Sequence, residues 1–125
     1  MDNPHYQRIG GENGVRALVD RFYDLMDSLP EAAGIRAMHA PDLMIAREKL
    51  FMFLSGWLGG PQLYMEKYGH PRLRQRHLPF KIGESERDQW MLCIRQAMID
   101  IGLDEDFRQL LDAAFYKTAD FMRNR

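Results

Sequence analysis

The chain has 125 residues, of which 46% are hydrophobic, and this predicts one domain over residues 1–125 that can bury a core without disulfide crosslinks. With 17 Lys and Arg against 18 Asp and Glu, its net charge of -1 gives no general attraction to nucleic acid or to an anionic membrane. The single cysteine, Cys93, excludes an internal disulfide and suits a reducing compartment. The N-terminal MDNPHYQRIGG lacks the apolar run of a secretory signal, and residues 50–61, the longest uncharged apolar stretch, have about half the length that a bilayer requires. We therefore expect a cytoplasmic protein that binds neither nucleic acid nor membranes.

The first half of the chain has the apolar periodicity of helices. Apolar residues recur with a 3.6-residue period over residues 12–29, and Pro30 interrupts them. Pro30 can itself open a short helical turn, which should end near Met38. Asp42 is suited to cap the next helix, which is predicted to stop at Gly59-Gly60-Pro61.

The second half predicts two more long helices, separated from the first half by an irregular segment. One helix begins near Ser85 and ends at Gly102, and the other is opened by Asp104 and runs almost to residue 125. The segment 59–83 is rich in Gly and Pro and only weakly periodic, yet it contains too many apolar side chains to remain in water. We expect it to be ordered and packed against the helices, in a chain that is all-α.

Residues 72–80, RLRQRHLPF, concentrate arginines around a single histidine. The stretch could be a small phosphate-binding patch, although one local cluster in a chain of this net charge is weak support for nucleic-acid binding. It could also be a solvated loop. His77 lacks the second His or Cys at i+3 or i+4 that a zinc site normally has. As a lone ligand it suits a metal held in a macrocycle, as in haem.

Five motifs together resemble those of the group II truncated haemoglobins, short globins that fold two helices over two around one haem. They are YQRIGG at residues 6–11, RFY at 21–23, KLFMFLSGWLGGP at 49–61, YGHPRLRQRHLPF at 68–80 and ERDQW at 86–90. The resemblance extends from about Tyr6 to Phe121 and implies an all-α, two-over-two globin fold that holds haem b. The paired glycines, Gly10-Gly11 and Gly59-Gly60, stand where this family bends its shortened chain, and residues without a Cβ suit such bends.

The resemblance implies that His77 is the proximal ligand of the haem iron. Leu73 lies one helical turn before it and would rest on the same face, against the porphyrin. Arg76 resembles the family residue that reaches a haem propionate, and Lys49 is a second residue suited to such a charge-assisted hydrogen bond. The other residues that we expect to contact the cofactor are Leu50, Phe53, Tyr64, Phe80 and Ile82.

Two aromatic residues are predicted to act on the distal side of the haem. Tyr23 lies on the apolar stripe of the first long helix and Trp90 on that of the third, so from the pattern alone each could be a core residue. The resemblance implies that the Tyr23 phenol and the Trp90 indole donate hydrogen bonds to the ligand of the iron. The third distal position falls within MHAPDL. We favour His39 there because a polar side chain suits this pocket, while a shift of one residue would place Met38 there.

These residues predict a globin that reversibly binds dioxygen, nitric oxide or carbon monoxide and releases its ligand slowly. The alternative is a haem redox enzyme, a nitric oxide dioxygenase or a peroxidase-like enzyme, in which Tyr23, Trp90 and His39 would be catalytic. Because the sequence has no flavin or nicotinamide motif, turnover would require an external reductase. A monomer and a homodimer are both compatible with the sequence.

Overall fold

The computed structural model describes residues 5–125, which contain helices and no β-strand. Residues 1–4 of the predicted domain lie outside the described residues. The helices are α1 (His5–Ile9), α2 (Gly11–Ser28), α3 (Ala33–Arg36), α4 (Met44–Trp57), α5 (Leu63–Tyr68), α6 (Leu73–His77), α7 (Glu84–Asp100) and α8 (Glu105–Phe121), with a 3-10 turn at Pro30–Ala32 between α2 and α3. The predicted all-α fold is therefore confirmed.

The four long helices correspond to the four that the periodicity predicts, and side chains fix where two of them begin. The Met44 amide donates a hydrogen bond to Asp42 Oδ1 at 2.9 Å, and the Phe107 amide donates one to Asp104 Oδ1 at 2.9 Å. The bond from the Phe107 amide also holds the pKa of Asp104 below its ordinary value. Both carboxylates satisfy amide groups that the first turn of a helix leaves unpaired.

The sequence periodicity did not predict three short helices. Helix α1 precedes the first apolar stripe, while α5 and α6 divide the irregular segment 59–83 into two ordered turns. The segment is ordered into helical turns, as expected, but it is only partly packed: Tyr64 and Ile82 are buried, whereas Met65, Leu78 and Phe80 are exposed. Each of these helices has only five or six residues, so tertiary contacts must stabilise them, because isolated helices of this length are unstable in water.

Helix α7 occupies the centre of the fold, where it packs against both α2 and α8, and α2 also packs against α4. Fully buried side chains from these helices form the core. They include Leu18 and Phe22 of α2, Leu54 of α4, Met91, Ile94 and Met98 of α7, and Phe107, Leu111 and Phe115 of α8. Among residues 5–125, no helix has both the length and the apolar character needed to span a membrane.

Cys93 is a core residue of α7. Its side chain is fully buried, and burial, with a smaller contribution from the charge of Glu31, raises the pKa of its thiol to about 11. The thiol therefore stays protonated at neutral pH and has little of the nucleophilic thiolate form.

The turn after α4 brings the chain back against α1. Gly59 adopts a positive φ of 94°, a conformation that favours glycine, and the Ser55 hydroxyl donates a hydrogen bond to the Pro61 carbonyl at 2.7 Å. Gly60 has a different role, since a Cβ placed on it would lie 2.3 Å from the Tyr6 ring. The close approach of α1 to this turn therefore depends on the missing side chain at Gly60.

We predict that Gly60→Ala lowers the free energy of unfolding by about 1–3 kcal/mol, the usual cost of overpacking. Chemical denaturation of the purified variant would measure this change. In a Tyr6→Ala background the obstructing ring is gone, so the same substitution should cost much less. An equal loss in both backgrounds would show that the Tyr6 contact is not the cause.

Candidate functional site

A cavity of about 280 Å³ lies between helices α2, α4, α6, α7 and α8. One side is formed by Leu50, Phe53, Leu54 and Trp57, all on α4. Further apolar side chains of the wall come from the second half of the chain, namely Leu73, Phe80, Ile82, Phe115 and Met122. The cavity is thus mainly apolar, which is typical of sites that exclude water around a cofactor.

His77 is the last residue of α6 and lines this cavity. Its Nδ1 lies 2.6 Å from the carbonyl oxygen of Leu73, one turn earlier on the same helix. A carbonyl oxygen only accepts hydrogen bonds, so Nδ1 must carry the proton. In the neutral ring the lone pair is therefore on Nε2, and this is the arrangement that prepares a histidine to bind a metal through Nε2.

The position of α6 is fixed by the chain segment that follows α8. Asn124 Nδ2 donates hydrogen bonds to the carbonyl oxygens of His77 at 3.3 Å and Phe80 at 2.8 Å. Asn124 Oδ1 accepts a bond from the Ile82 amide at 3.0 Å, and the Ile82 carbonyl in turn accepts one from the Asn124 amide at 2.8 Å. A single residue near the C-terminus therefore connects the end of α6 to the start of α7.

Tyr23 lies across the cavity on α2 and is only 5% exposed. Among residues 5–125, no protein group forms a hydrogen bond with its hydroxyl, and burial raises the pKa of the phenol well above its ordinary value, while the charge of Arg47 offsets part of the rise. The phenol is therefore a protonated donor throughout the physiological pH range. A hydroxyl on the cavity wall that has no protein partner is suited to a ligand that enters the cavity.

Trp90 brings a second hydrogen-bond donor to the cavity from α7. Its ring packs 5.1 Å from that of Phe22 and 5.6 Å from that of Phe115. Phe22 also contacts Tyr23 edge-on at 5.0 Å, so one core phenylalanine supports both predicted donors. The two residues that sequence analysis assigned to the distal side thus lie on the same cavity.

Met38 and His39 both line the cavity, so both residues proposed for the third distal position reach it. The His39 ring packs edge-on against Tyr23 at 5.8 Å, and its Nδ1 lies 2.8 Å from the Ile35 carbonyl oxygen. As in His77, this contact assigns the proton to Nδ1. In its neutral form the His39 ring would accept a hydrogen bond through Nε2, whereas the Tyr23 hydroxyl and the Trp90 indole donate.

Three residues predicted to contact the cofactor are not part of the cavity wall. Arg76 Nε donates to the Pro71 carbonyl at 2.9 Å, and Lys49 Nζ lies 5.5 Å from the centre of the Tyr68 ring. Tyr64 is buried beside Phe53, with 6.5 Å between the ring centres. The roles of Arg76 and Lys49 toward propionates, and of Tyr64 toward the cofactor, stay predictions.

The sequence reasoning missed Glu86 and Arg87, which line the cavity near the start of α7. Arg87 is paired with Asp120 at 2.9 Å and with Asp88 at 3.0 Å, and these hydrogen bonds raise the pKa of its guanidinium. Arg87 precedes Trp90 by three residues, so the helical period could have placed both on one face.

The fold and the cavity agree with what comparison with known proteins shows. A family model described as bacterial-like globin matches residues 4–124. The chain is 39% identical over 123 residues to group 2 truncated hemoglobin YjbI of Bacillus subtilis (strain 168), covering 98% of this chain and 90% of the relative. The chain therefore belongs to the bacterial-like globin family.

Solved structures narrow the class to the group II truncated haemoglobins. The group II 2-on-2 hemoglobin of Agrobacterium tumefaciens has 48% sequence identity and a TM-score of 0.91, over 95% of this chain and 92% of that one. A cold-adapted truncated hemoglobin of Pseudoalteromonas haloplanktis TAC125 has 42% identity and a TM-score of 0.93, over 96% and 97% of the two chains. The resemblance carried by the five motifs and the two-over-two fold that it implies are confirmed.

We predict that Asn124→Ala loosens the end of α6. Losing its side-chain hydrogen bonds should lower the free energy of unfolding by about 1–2 kcal/mol and speed hydrogen exchange at the Ile82 amide. Nuclear magnetic resonance of the apoprotein would measure the exchange. Asn124→Asp keeps the acceptor for the Ile82 amide, so it should protect that amide better than Asn124→Ala, and equal exchange in the two variants would contradict the assignment.

Proposed function

We propose that the protein binds one haem b in this cavity, with Nε2 of His77 as the proximal iron ligand, and that it reversibly binds dioxygen or another diatomic gas. The observation that carries the proposal is the 2.6 Å contact from His77 Nδ1 to the Leu73 carbonyl, which leaves Nε2 available to a metal. Membership of the globin family supports the same cofactor. The proposed place of action is the cytoplasm.

The residues present fit a haem. The wall is apolar, as a porphyrin requires, and it carries one histidine prepared for a metal on α6 and an unpartnered phenol on α2. Bound haem would supply an iron with one open coordination position. Leu50 and Phe53 from one side and Leu73, Phe80 and Ile82 from the other would exclude water around it.

Each polar residue of the distal side then has a distinct task. The Tyr23 hydroxyl and the Trp90 indole N–H would donate hydrogen bonds to the diatomic ligand, and His39 Nε2 would accept one, for example from Tyr23. Arg76 and Lys49 would have to leave their present contacts with Pro71 and Tyr68 to reach the propionates. Slow ligand release follows from the donors, since their loss mainly affects the off-rate.

A second function, the consumption of nitric oxide or peroxide with electrons from an external reductase, is supported by the aromatic side chains. Trp57 stacks on Phe115 at 4.7 Å, and Phe115 contacts Trp90 at 5.6 Å. Two oxidisable indoles therefore lie on the cavity wall, and each of them contacts the Phe115 ring. Turnover of peroxide or nitric oxide by the haem-loaded protein, compared with free haemin, tests this function, and rates no higher than those of haemin would exclude it.

We predict that His77→Gly loses most of its haem because the proximal bond is gone, while the apolar wall remains. Soret absorbance per protein after gel filtration would measure retention. Added imidazole should restore the Soret band, because it can occupy the vacated space and bind the iron. The matched control is His70→Gly, at an exposed histidine outside the cavity. Haem content in His77→Gly as high as in the unaltered protein would overturn the role of His77.

We predict that Tyr23→Phe releases dioxygen about ten- to a hundredfold faster, the factor that corresponds to a lost hydrogen bond of about 1.5–3 kcal/mol. Stopped-flow displacement of dioxygen by carbon monoxide would measure the rate. Tyr6→Phe removes a hydroxyl outside the cavity and serves as the control. An unchanged off-rate in Tyr23→Phe would remove Tyr23 from the set of donors.

A further inference from the structure

Helix α6 and the residues around it carry an unusual concentration of positive charge. Residues 72–81 contain four basic side chains, Arg72, Arg74, Arg76 and Lys81, and no acidic one. All four are exposed. The rest of the chain has 13 Lys and Arg against 18 Asp and Glu. The molecule is therefore polarised, with one basic face, here called the α6 face, on an otherwise acidic protein.

The charges of the α6 face are not neutralised within the described part of the chain, since none of the four forms an ion pair with a carboxylate of residues 5–125. Arg74 donates to the carbonyl oxygens of Phe121 and Arg123, and Arg76 to that of Pro71. These bonds orient the guanidinium groups without neutralising their positive charge. Once haem is bound, Arg76 would turn to a propionate, so the docking cations of the loaded protein are Arg72, Arg74 and Lys81. Eight other arginines do pair with carboxylates, namely Arg8, Arg16, Arg21, Arg36, Arg47, Arg87, Arg95 and Arg123. The lack of ion pairs thus distinguishes the cations of the α6 face from these eight arginines.

Exposed apolar side chains flank these cations. Leu78 is 52% exposed and Phe121 is 62% exposed, and the Arg74 guanidinium lies 5.9 Å from the centre of the Phe121 ring. Arginine and phenylalanine are enriched in protein–protein interfaces. A nucleic acid would use the cations but not the apolar surface, so the composition favours a protein partner with negative charge.

The α6 face is also the outer side of the cavity wall. Leu73 and His77, on α6, and Phe80, just after it, line the cavity, while the basic side chains of the same segment point to solvent. A protein bound to this face would be separated from the cavity by a single short helix. The proximity to the cavity and the unpaired positive charge thus occur together on the α6 face.

We propose that the α6 face docks an acidic electron-transfer protein that reduces the haem. The inference rests on the proposed function, since it requires the cofactor beside His77. In each encounter one electron passes from the reduced donor to the ferric iron, which becomes ferrous, while the donor is oxidised by one electron and no covalent bond changes. The basic face would steer the donor toward this orientation and raise the association rate.

Reduced flavodoxin, an acidic one-electron donor, is the probe. Stopped-flow mixing with the ferric, haem-loaded protein would follow reduction by the Soret shift at increasing ionic strength. The rate should fall steeply with salt, because exposed charges are screened. At low salt the double variant Arg72→Gln/Lys81→Gln should react about tenfold more slowly, at the low end of the range for electrostatic steering.

The control variant Arg8→Gln/Arg21→Gln removes the same charge elsewhere. These arginines pair with Asp104 and Asp100, which lie near the start of α8. Phe121, on the α6 face, lies at the other end of that 17-residue helix, about 25 Å away. Exposed ion pairs of this kind contribute little to stability. The control should react with flavodoxin like the unaltered protein, and reduced lumiflavin, a small donor that carries at most one charge and no protein surface, should reduce all three proteins at similar rates.

Several results would overturn the proposal. The first is a reduction rate that does not change with salt, and the second is equal slowing in the control variant. The third is salt-dependent binding of duplex DNA or of anionic phosphatidylglycerol vesicles to the α6 face that is tighter than the binding of flavodoxin. Failure of haem uptake is a separate result, because the Soret band reports it directly and it refutes the proposed function. Calorimetric titration of oxidised flavodoxin into the ferric, haem-loaded protein measures docking without electron transfer, and absence of binding there overturns the docking surface by itself.

Discussion

The site depends on holding a helix of five residues in place. Helix α6 is far too short to be stable alone, yet it carries the histidine whose Nε2 must face the cavity. Its internal hydrogen bond, from His77 Nδ1 to Leu73, sets the tautomer of the ring. The direction of the helix is set from outside, by Asn124 at one end and by the contacts of Arg74 with the chain after α8. The chemistry proposed for His77 is therefore a property of tertiary structure more than of local sequence.

The opposite side of the cavity uses rigid supports. Tyr23 and Trp90 come from two of the longest helices, and both rest on Phe22, which is fully buried where α2 packs against α7. His39 has a bond to the backbone of α3 and so offers an acceptor instead of a third donor. The side of the cavity at Tyr23 and Trp90 is thus supported by core packing, whereas the side at His77 is held by a few hydrogen bonds. We expect the two sides to differ in how far they move when a cofactor enters.

The sequence predicted the parts of the molecule that have a long periodic pattern. Four helices and the cavity positions of Tyr23, Trp90, His39 and His77 followed from apolar stripes and from motifs. Helices α1 and α5 did not, and a helix at α6 was implied only by the family resemblance, because five or six residues are too few to display a helical period. Asn124 could not be found either, since a polar side chain near the end of a chain resembles any solvated residue until its partners are known. Arg76 shows a further limit, because its motif suggests a contact with a propionate while its present bond is to the Pro71 carbonyl.

The link between Asn124 and the α6–α7 connection also constrains the order of events during synthesis. The ribosome makes α2, α4 and α6 early, and their apolar faces can begin to pack as they emerge. The hydrogen bonds that hold the end of α6, however, cannot form until residue 124 has been added and has left the ribosome. A nascent chain would thus display the distal residues before it could hold His77 in place. Secure cofactor capture would then depend on residue 124, and a chain interrupted before it would hold the His77 side of the cavity less firmly.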